Sequence, residues 1–228
     1  MLKPSINIVS ILVIFIDFST SQENKRHYSA KTMDRVKNLL TNHPVVDTHN
    51  DYPVLIRWEH ENNLYQEEFD TDLLKKLPHY WSNHCDLPRM RKGHVGGQFW
   101  SAWMDCNSSS SDAVQLFLEQ VDIIKQWVDK YPDDLMWADS AKDVEEALET
   151  GKIASLIGVE GGQAIGSSLS VLRILYTAGV RYMTLTHSCN TPWADAAETE
   201  FPEGHEKKLE PRSNGLSSFG KKVIINLV

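Results

Sequence analysis

The sequence is poor in cysteine, in positive charge and in long apolar segments. Three cysteines in 228 residues are too few for a small disulfide-stabilised scaffold. The 23 Lys and Arg residues are outnumbered by 31 Asp and Glu residues, which gives a net charge of −8. Without a basic block, such a chain is unsuited to phosphate backbones, so we expect no nucleic-acid partner. Beyond an apolar run at the N-terminus, no segment is long enough to span a bilayer.

The N-terminal apolar run has the pattern of a secretory signal peptide. Lys3 precedes the apolar segment 8–16, and Ser19 and Ser21 place small residues at positions −3 and −1 of a cleavage site. An uncleaved signal anchor is the alternative, but the run is shorter than the ~20 residues of a membrane-spanning helix. We therefore expect residues 1–21 to be removed and the protein to reach the extracellular space or the cell surface.

Secretion changes what the cysteines are expected to do. In an oxidising compartment two of Cys85, Cys106 and Cys189 can form a disulfide, and one is left over. The triplet Asn107-Ser108-Ser109 is a glycosylation sequon, which predicts a glycan on Asn107 if the residue lies in an exposed loop.

Apolar periodicity predicts alternating strands and helices. The predicted strands are 45–51, 96–103, 153–159 and 180–186, and the main predicted helices are 29–42, 112–130, 140–150 and 170–178. The continuous apolar run 153–159 is typical of a buried parallel strand. Segment 59–91 is polar without a clear period, and we expect a long excursion there with one helix near residues 71–76. This order predicts an α/β fold with a parallel sheet.

Titratable residues follow three of the predicted strands. His49 and Asp51 stand two positions apart at the end of the first, where they share a face and could chelate a metal. Glu160 follows the third, where a carboxylate is costly to bury unless it is paired or metal-bound, and His187 follows the fourth. Singly these are also ordinary turn, capping or solvated loop residues. Together they predict a site at the carboxyl ends of the strands, where barrel enzymes place theirs.

Several motifs resemble those of the renal (membrane) dipeptidase family. They are Val159-Glu160-Gly161-Gly162, Gly179-Val180-Arg181-Tyr182, the runs 185–195 and 47–53, Gly96-Gly97-Gln98-Phe99-Trp100, and the run 214–221. Their order and spacing are similar to the family's over nearly all of the mature chain. The resemblance implies an α/β fold that forms the N-terminal half, about four strand–helix units, of a (β/α)8 TIM-type barrel. The resemblance also implies that residues 22–228 are an incomplete dipeptidase catalytic domain.

The same resemblance implies an activity and a set of site residues. It implies a zinc metallopeptidase that hydrolyses dipeptides, with two zinc ions and a metal-bridged hydroxide that attacks the peptide carbonyl. His49 and Asp51 match ligands of the first zinc, and Glu160 matches the carboxylate that bridges both ions. His187 matches the catalytic histidine that binds the substrate near its scissile carbonyl.

Further expectations come from the resemblance alone. Cys106 and Cys189 match a disulfide of the family, which leaves Cys85 as the extra cysteine. The family includes members anchored to the membrane by a C-terminal lipid and members that form homodimers. Membrane attachment and dimerisation are therefore open expectations, and a dipeptide is the expected small-molecule partner.

The sequence departs from the family pattern at its end. In the family, two metal-binding histidines, a catalytic aspartate and a carboxylate-binding arginine follow the Gly-Leu-x-x-Phe-Gly segment, whereas this sequence ends at Val228. We therefore expect the second zinc to have only Glu160 here. Three hypotheses stay open: an incomplete copy of a zinc dipeptidase, a non-catalytic secreted binding or decoy protein, and a one-metal hydrolase anchored by His49 and Asp51.

Overall fold

A computed structural model describes residues 29–66, 68–76, 84–106 and 112–227. The predicted signal peptide and Asn107 lie outside these residues. The described strands are β1 Val45–Asn50, β2 Val95–Trp103, β3 Leu135–Trp137, β4 Ile153–Glu160 and β5 Val180–Met183. The described α-helices are α1 Ala30–Asn42, α2 Tyr52–His60, α3 Leu73–Lys76, α4 Leu87–Lys92, α5 Ala113–Lys130, α6 Ala141–Glu149, α7 Leu169–Thr177 and α8 Ser218–Leu227. Within the described ranges, none of these helices is long and apolar enough to cross a membrane.

The five strands form one sheet in which every pairing is parallel. β2 pairs with β1 on one side and with β4 on the other. The second edge of β4 is shared, because β3 pairs with residues 153–155 and β5 pairs with residues 157–159. The four strands predicted from the sequence are thus neighbours in the order β1, β2, β4, β5, and the α/β prediction is confirmed.

Strand β3 and helix α2 were not predicted from the sequence. β3 has only three residues, too few to show an alternating pattern between α5 and α6. No helix was predicted between strand 45–51 and segment 59–91, because Pro53 is a residue that can end a strand. Instead it occupies the first turn of the helix, where its missing N–H costs no hydrogen bond and its fixed backbone angle suits the start. The excursion also contains α4, which begins at a second proline after the capping residue Asp86.

Strand β5 ends at Met183, three residues before the predicted boundary. The backbone N–H of Thr184 still donates to the Val159 carbonyl on β4 at 2.9 Å, but the Thr184 side chain bonds to the turn that follows. Its hydroxyl donates to the carbonyl of Thr186 at 2.9 Å and accepts the N–H of Gly161 at 2.7 Å. His187 therefore lies in a loop and not directly at the end of a strand.

The core lies between the sheet and helices α2 and α5. Its centre is an aromatic cluster in which the Trp127 ring on α5 lies 4.4 Å from Trp100 on β2, 4.6 Å from Phe69 and 5.1 Å from Tyr52 on α2. Each of these rings is at most 1% exposed. Large buried aromatics dominate core energetics, so this cluster anchors α2 and α5 to the sheet and fixes the strand ends that carry the site.

Candidate metal centre

Three predicted ligands meet at the carboxyl ends of β1 and β4. The His49 Nε2 atom lies 3.3 Å from Asp51 Oδ1 and 3.2 Å from Glu160 Oε2. One donor atom from each of the three side chains falls within 4.8 Å of the other two. His49 is on β1, Asp51 follows β1 as the residue before α2, and Glu160 ends β4. Residues more than a hundred positions apart in sequence are thus gathered around one point.

His49 is held from both its ring and its backbone. The Nδ1 atom lies 3.0 Å from the hydroxyl of Tyr182 on β5, and the backbone N–H donates to Asp47 Oδ1 at 3.1 Å. Burial, together with the charges of Glu160 and Asp51, raises the pKa of Tyr182 to about 12, so the phenol stays neutral. Partners of this kind fix the ring orientation of a metal-binding histidine and leave the other nitrogen to the metal.

A glycine makes room for this tyrosine. Gly158 on β4 pairs with Tyr182 in the sheet, and a side chain at Gly158 would overlap the Tyr182 ring. A glycine inside a buried strand marks the close approach of another group. That glycine was the sequence clue to Tyr182, a site residue that the sequence analysis did not identify.

The donor set fits a zinc ion. One imidazole and two carboxylates are common ligands of catalytic zinc. Asp51 Oδ1 is buried and accepts no properly aligned hydrogen bond from the described residues, so it is an acceptor that a cation would satisfy. Without a metal, the adjacent carboxylates of Asp51 and Glu160 raise the pKa of His49 to about 10, against the opposing effect of burial. The cluster is thus a strongly negative environment that favours a positive charge.

His187 completes the cluster from another direction. Its Nε2 atom lies 3.6 Å from Glu160 Oε1, so the two Glu160 oxygens face two different histidines. The His187 Nδ1 atom lies 3.0 Å from the hydroxyl of Ser188, and the imidazole packs edge-to-face against Trp103 with ring centroids 5.5 Å apart. The structure therefore brings together all four residues that the sequence analysis singled out.

The loop that carries His187 is tied down at several points. A disulfide joins Cys106, just after β2, to Cys189 in the loop, and Cys85 is free, as the resemblance implied. Farther along, the Asp195 carboxylate accepts the backbone N–H groups of Arg212, Ser213 and Gly215, each within 3.0 Å. These contacts order a long polar segment that has little regular secondary structure.

A parallel α/β sheet with a His/Asp/Glu cluster at its carboxyl end is the arrangement of barrel-type metalloproteins. A comparison with protein families is more specific: residues 33–227 match the membrane dipeptidase family, peptidase family M19. The chain belongs to this family.

Relatives and solved structures agree with this assignment. The chain is 41% identical to mouse Dipeptidase 3 over 186 residues, which are 82% of this chain and 34% of that protein. The structure of the probable dipeptidase PvdM from Pseudomonas aeruginosa matches this chain with a TM-score of 0.64 at 18% sequence identity. The match covers 87% of this chain and 47% of PvdM. A metallopeptidase from Rhodobacter sphaeroides, liganded with a phosphinate mimic of the dipeptide L-Ala-D-Ala, matches with a TM-score of 0.59 at 17% identity. This match covers 80% of this chain and 55% of the metallopeptidase.

The chain matches only part of the length of each of these relatives. The chain spans about a third of the length of its mouse relative and about half of the two solved structures. TM-scores near 0.6 show a common fold, and the partial coverage fits a sheet that corresponds to half of a barrel. The fold expectation from the sequence is therefore confirmed.

Proposed function

We propose that His49, Asp51 and Glu160 hold a zinc ion that serves the hydrolysis of dipeptides. The observation that carries this proposal is the convergence of their donor atoms within 4.8 Å at the carboxyl end of the sheet. Membership of a family described as membrane dipeptidases supports the reaction. When bound, zinc would lower the pKa of a coordinated water and polarise the peptide carbonyl.

The roles of the side chains follow from their contacts. Tyr182 fixes the His49 ring through Nδ1, so Nε2 stays directed at the two carboxylates. Glu160 presents Oε2 to His49 and Oε1 to His187, and so links the metal ligands to the substrate side of the site. His187 would donate a hydrogen bond from Nε2 to the carbonyl oxygen of the substrate as negative charge develops there.

A second zinc remains a finer part of the proposal. Glu160 has two carboxylate oxygens, so it is the residue that would contribute a ligand to each of two ions. The His49, Asp51 and Glu160 set provides for one ion, and a second would need ligands outside this set.

The proposed substrate is a dipeptide with free termini. Support comes from the mouse relative, which is named a dipeptidase, and from the Rhodobacter structure, which was liganded with a dipeptide mimic. L-Ala-D-Ala is therefore a suitable first probe, with L-Ala-L-Ala as its stereochemical counterpart.

We also propose that the chain passes through the secretory pathway, with residues 1–21 as a cleaved signal peptide and residues 22–228 as the catalytic portion. The Cys106–Cys189 disulfide supports this location, because disulfides persist in oxidising compartments and are rare in the cytosol. The glycan on Asn107, lipid-mediated membrane attachment and a homodimer stay predictions from the sequence and the family resemblance.

Zinc titration followed by a hydrolysis assay tests the proposal. The purified chain is expected to bind zinc and, when loaded, to release alanine from L-Ala-D-Ala, and a chelator should abolish the release. Zinc binding without hydrolysis would favour the non-catalytic binding protein. A chain that binds no zinc contradicts the proposal.

A further inference from the structure

Trp103 lies beside the proposed site and contacts one of its histidines. It is the last residue of β2 and pairs in register with Glu160, so the two side chains project from the same face of the sheet. Its indole is edge-to-face with His187, with centroids 5.5 Å apart and planes at 70°. The indole also meets Trp58, with centroids 5.8 Å apart and planes at 81°. Trp103 therefore contacts both an aromatic neighbour and the imidazole.

The backbone of Trp103 is fixed by a buried glutamine. Gln120 on α5 is fully buried, donates from Nε2 to the Trp103 carbonyl at 2.7 Å, and accepts the Trp103 N–H at 3.1 Å. The pairing of β1 with β2 ends at Trp100, so Gln120 supplies the partner that a longer β1 would provide. A buried amide that satisfies both backbone groups gives the residue a single, well-defined position.

Besides Trp103, the described residues place Glu160 and Ser188 beside the His187 ring, with Glu160 Oε1 3.6 Å from Nε2. Its Nδ1 contact is to Ser188, the next residue in the same loop, which does not fix the ring relative to the sheet. The disulfide ties the loop to the chain after β2, with Trp103 three residues before Cys106 and His187 two residues before Cys189. The disulfide limits the distance between the two segments, and the Trp103 indole lies against the imidazole.

We propose that Trp103, held by Gln120, is a positioning residue for His187. Its indole restricts rotation of the imidazole and keeps Nε2 directed toward Glu160 and toward a substrate bound there. The importance of this orientation for turnover rests on the proposed function, whereas the restriction of the ring does not.

Two readouts on the same variants test the proposal. The first is the NMR resonance of the His187 ring, identified by its loss in His187→Gln. The second is kcat and KM for L-Ala-D-Ala with the zinc-loaded chain. Trp103→Leu keeps apolar bulk without a ring, Trp103→Phe restores an aromatic ring, and Gln120→Leu releases the backbone. Trp137→Phe is the matched control, because Trp137 lies on β3 and contacts Lys125.

Trp103→Leu is expected to move the His187 resonance toward that of an exposed histidine and to lower kcat about tenfold with KM little changed. Trp103→Phe should restore most of the wild-type resonance position and kcat. Gln120→Leu should shift the resonance and kcat in the same direction as Trp103→Leu. Trp137→Phe should change neither the resonance nor kcat. If Trp103→Leu does not fold, Gln120→Leu decides the question through the resonance. An unmoved resonance in the folded variants, or an equal loss in Trp137→Phe, overturns the proposal. If the wild-type chain shows no hydrolysis, the proposed function fails while the resonance still decides the positioning role.

Discussion

His49 and His187 approach the same carboxylate but are held by different means. His49 lies on strand β1 and is oriented by the hydroxyl of Tyr182. His187 lies in a loop after β5 and is oriented by Trp103 and a nearby disulfide. A residue on a strand is held more precisely than a residue on a loop, whereas a tethered loop can adapt to a substrate. We therefore expect changes around His49 to act on the metal and changes around His187 to act on turnover. We call His49 with Tyr182 the His49 arm, and His187 with Trp103 and the disulfide the His187 arm.

The largest effect is expected at Glu160, which faces both histidines. Glu160→Gln removes the negative charge that faces both histidines, so zinc affinity should fall by more than about 100-fold, beyond the loss typical of residues outside the ligand set. Calorimetric titration of the chelator-treated chain with zinc measures this change. Glu119→Gln is the matched control, because Glu119 pairs with Arg57 on the helices and should leave zinc binding unchanged. Equal affinity in Glu160→Gln and wild type would contradict the shared role.

Removing the disulfide should act on the His187 arm. The double change Cys106→Ser and Cys189→Ser releases a crosslink across 83 positions and should lower the free energy of unfolding by about 2–5 kcal/mol. It should also lower kcat while zinc affinity stays within about twofold, because none of the proposed ligands is touched. Denaturant unfolding and zinc titration measure the two effects, and Cys85→Ser serves as the control. A parallel loss of zinc affinity would show that the arms are not independent.

Tyr182→Phe should act on the His49 arm. Loss of the hydroxyl leaves His49 Nδ1 without its partner at 3.0 Å, and zinc affinity is expected to fall by about tenfold with the fold retained. Competition with a chromophoric zinc chelator measures the affinity. The exposed Tyr176 on α7 provides the control Tyr176→Phe. A variant with weaker turnover but unchanged zinc affinity would assign Tyr182 to the other arm.

The smallest expected effect is a pH dependence in the loop beyond His187. Desolvation raises the pKa of Asp195, but the backbone N–H groups of Arg212, Gly215 and Ser213 lower it by more, so the net pKa lies below its usual value. A depressed pKa means that the carboxylate stabilises the loop at neutral pH. This contribution is lost as the pH falls below about 4.

Hydrogen exchange of the amides of Arg212, Ser213 and Gly215, corrected for intrinsic rates, tests this loop. Their protection should decrease at acid pH before that of β4, and Asp195→Asn should reduce protection already at neutral pH. Protection that is independent of pH in this range, or unchanged in Asp195→Asn, would remove Asp195 as a support of the loop.

The difference between the two arms also explains what the sequence could predict. The two-residue spacing of His49 and Asp51 and the apolar run before Glu160 are local patterns, and they predict residues at strand ends. The position of Trp103 opposite His187 depends on sheet register, on the Gln120 contact and on the disulfide, all of which join distant segments. Strand β3 and helix α2 were missed because a three-residue strand carries no period and because Pro53 suits both a strand end and a helix start.

The most direct test of the two-arm account is a zinc titration of His49→Ala and His187→Ala beside the wild-type chain, with hydrolysis of L-Ala-D-Ala measured on the same samples. The account predicts that His49→Ala loses tight zinc binding, whereas His187→Ala binds zinc as the wild type does and loses about 100-fold in kcat. Zinc binding that survives in His49→Ala, or that is lost equally in both variants, would contradict the account.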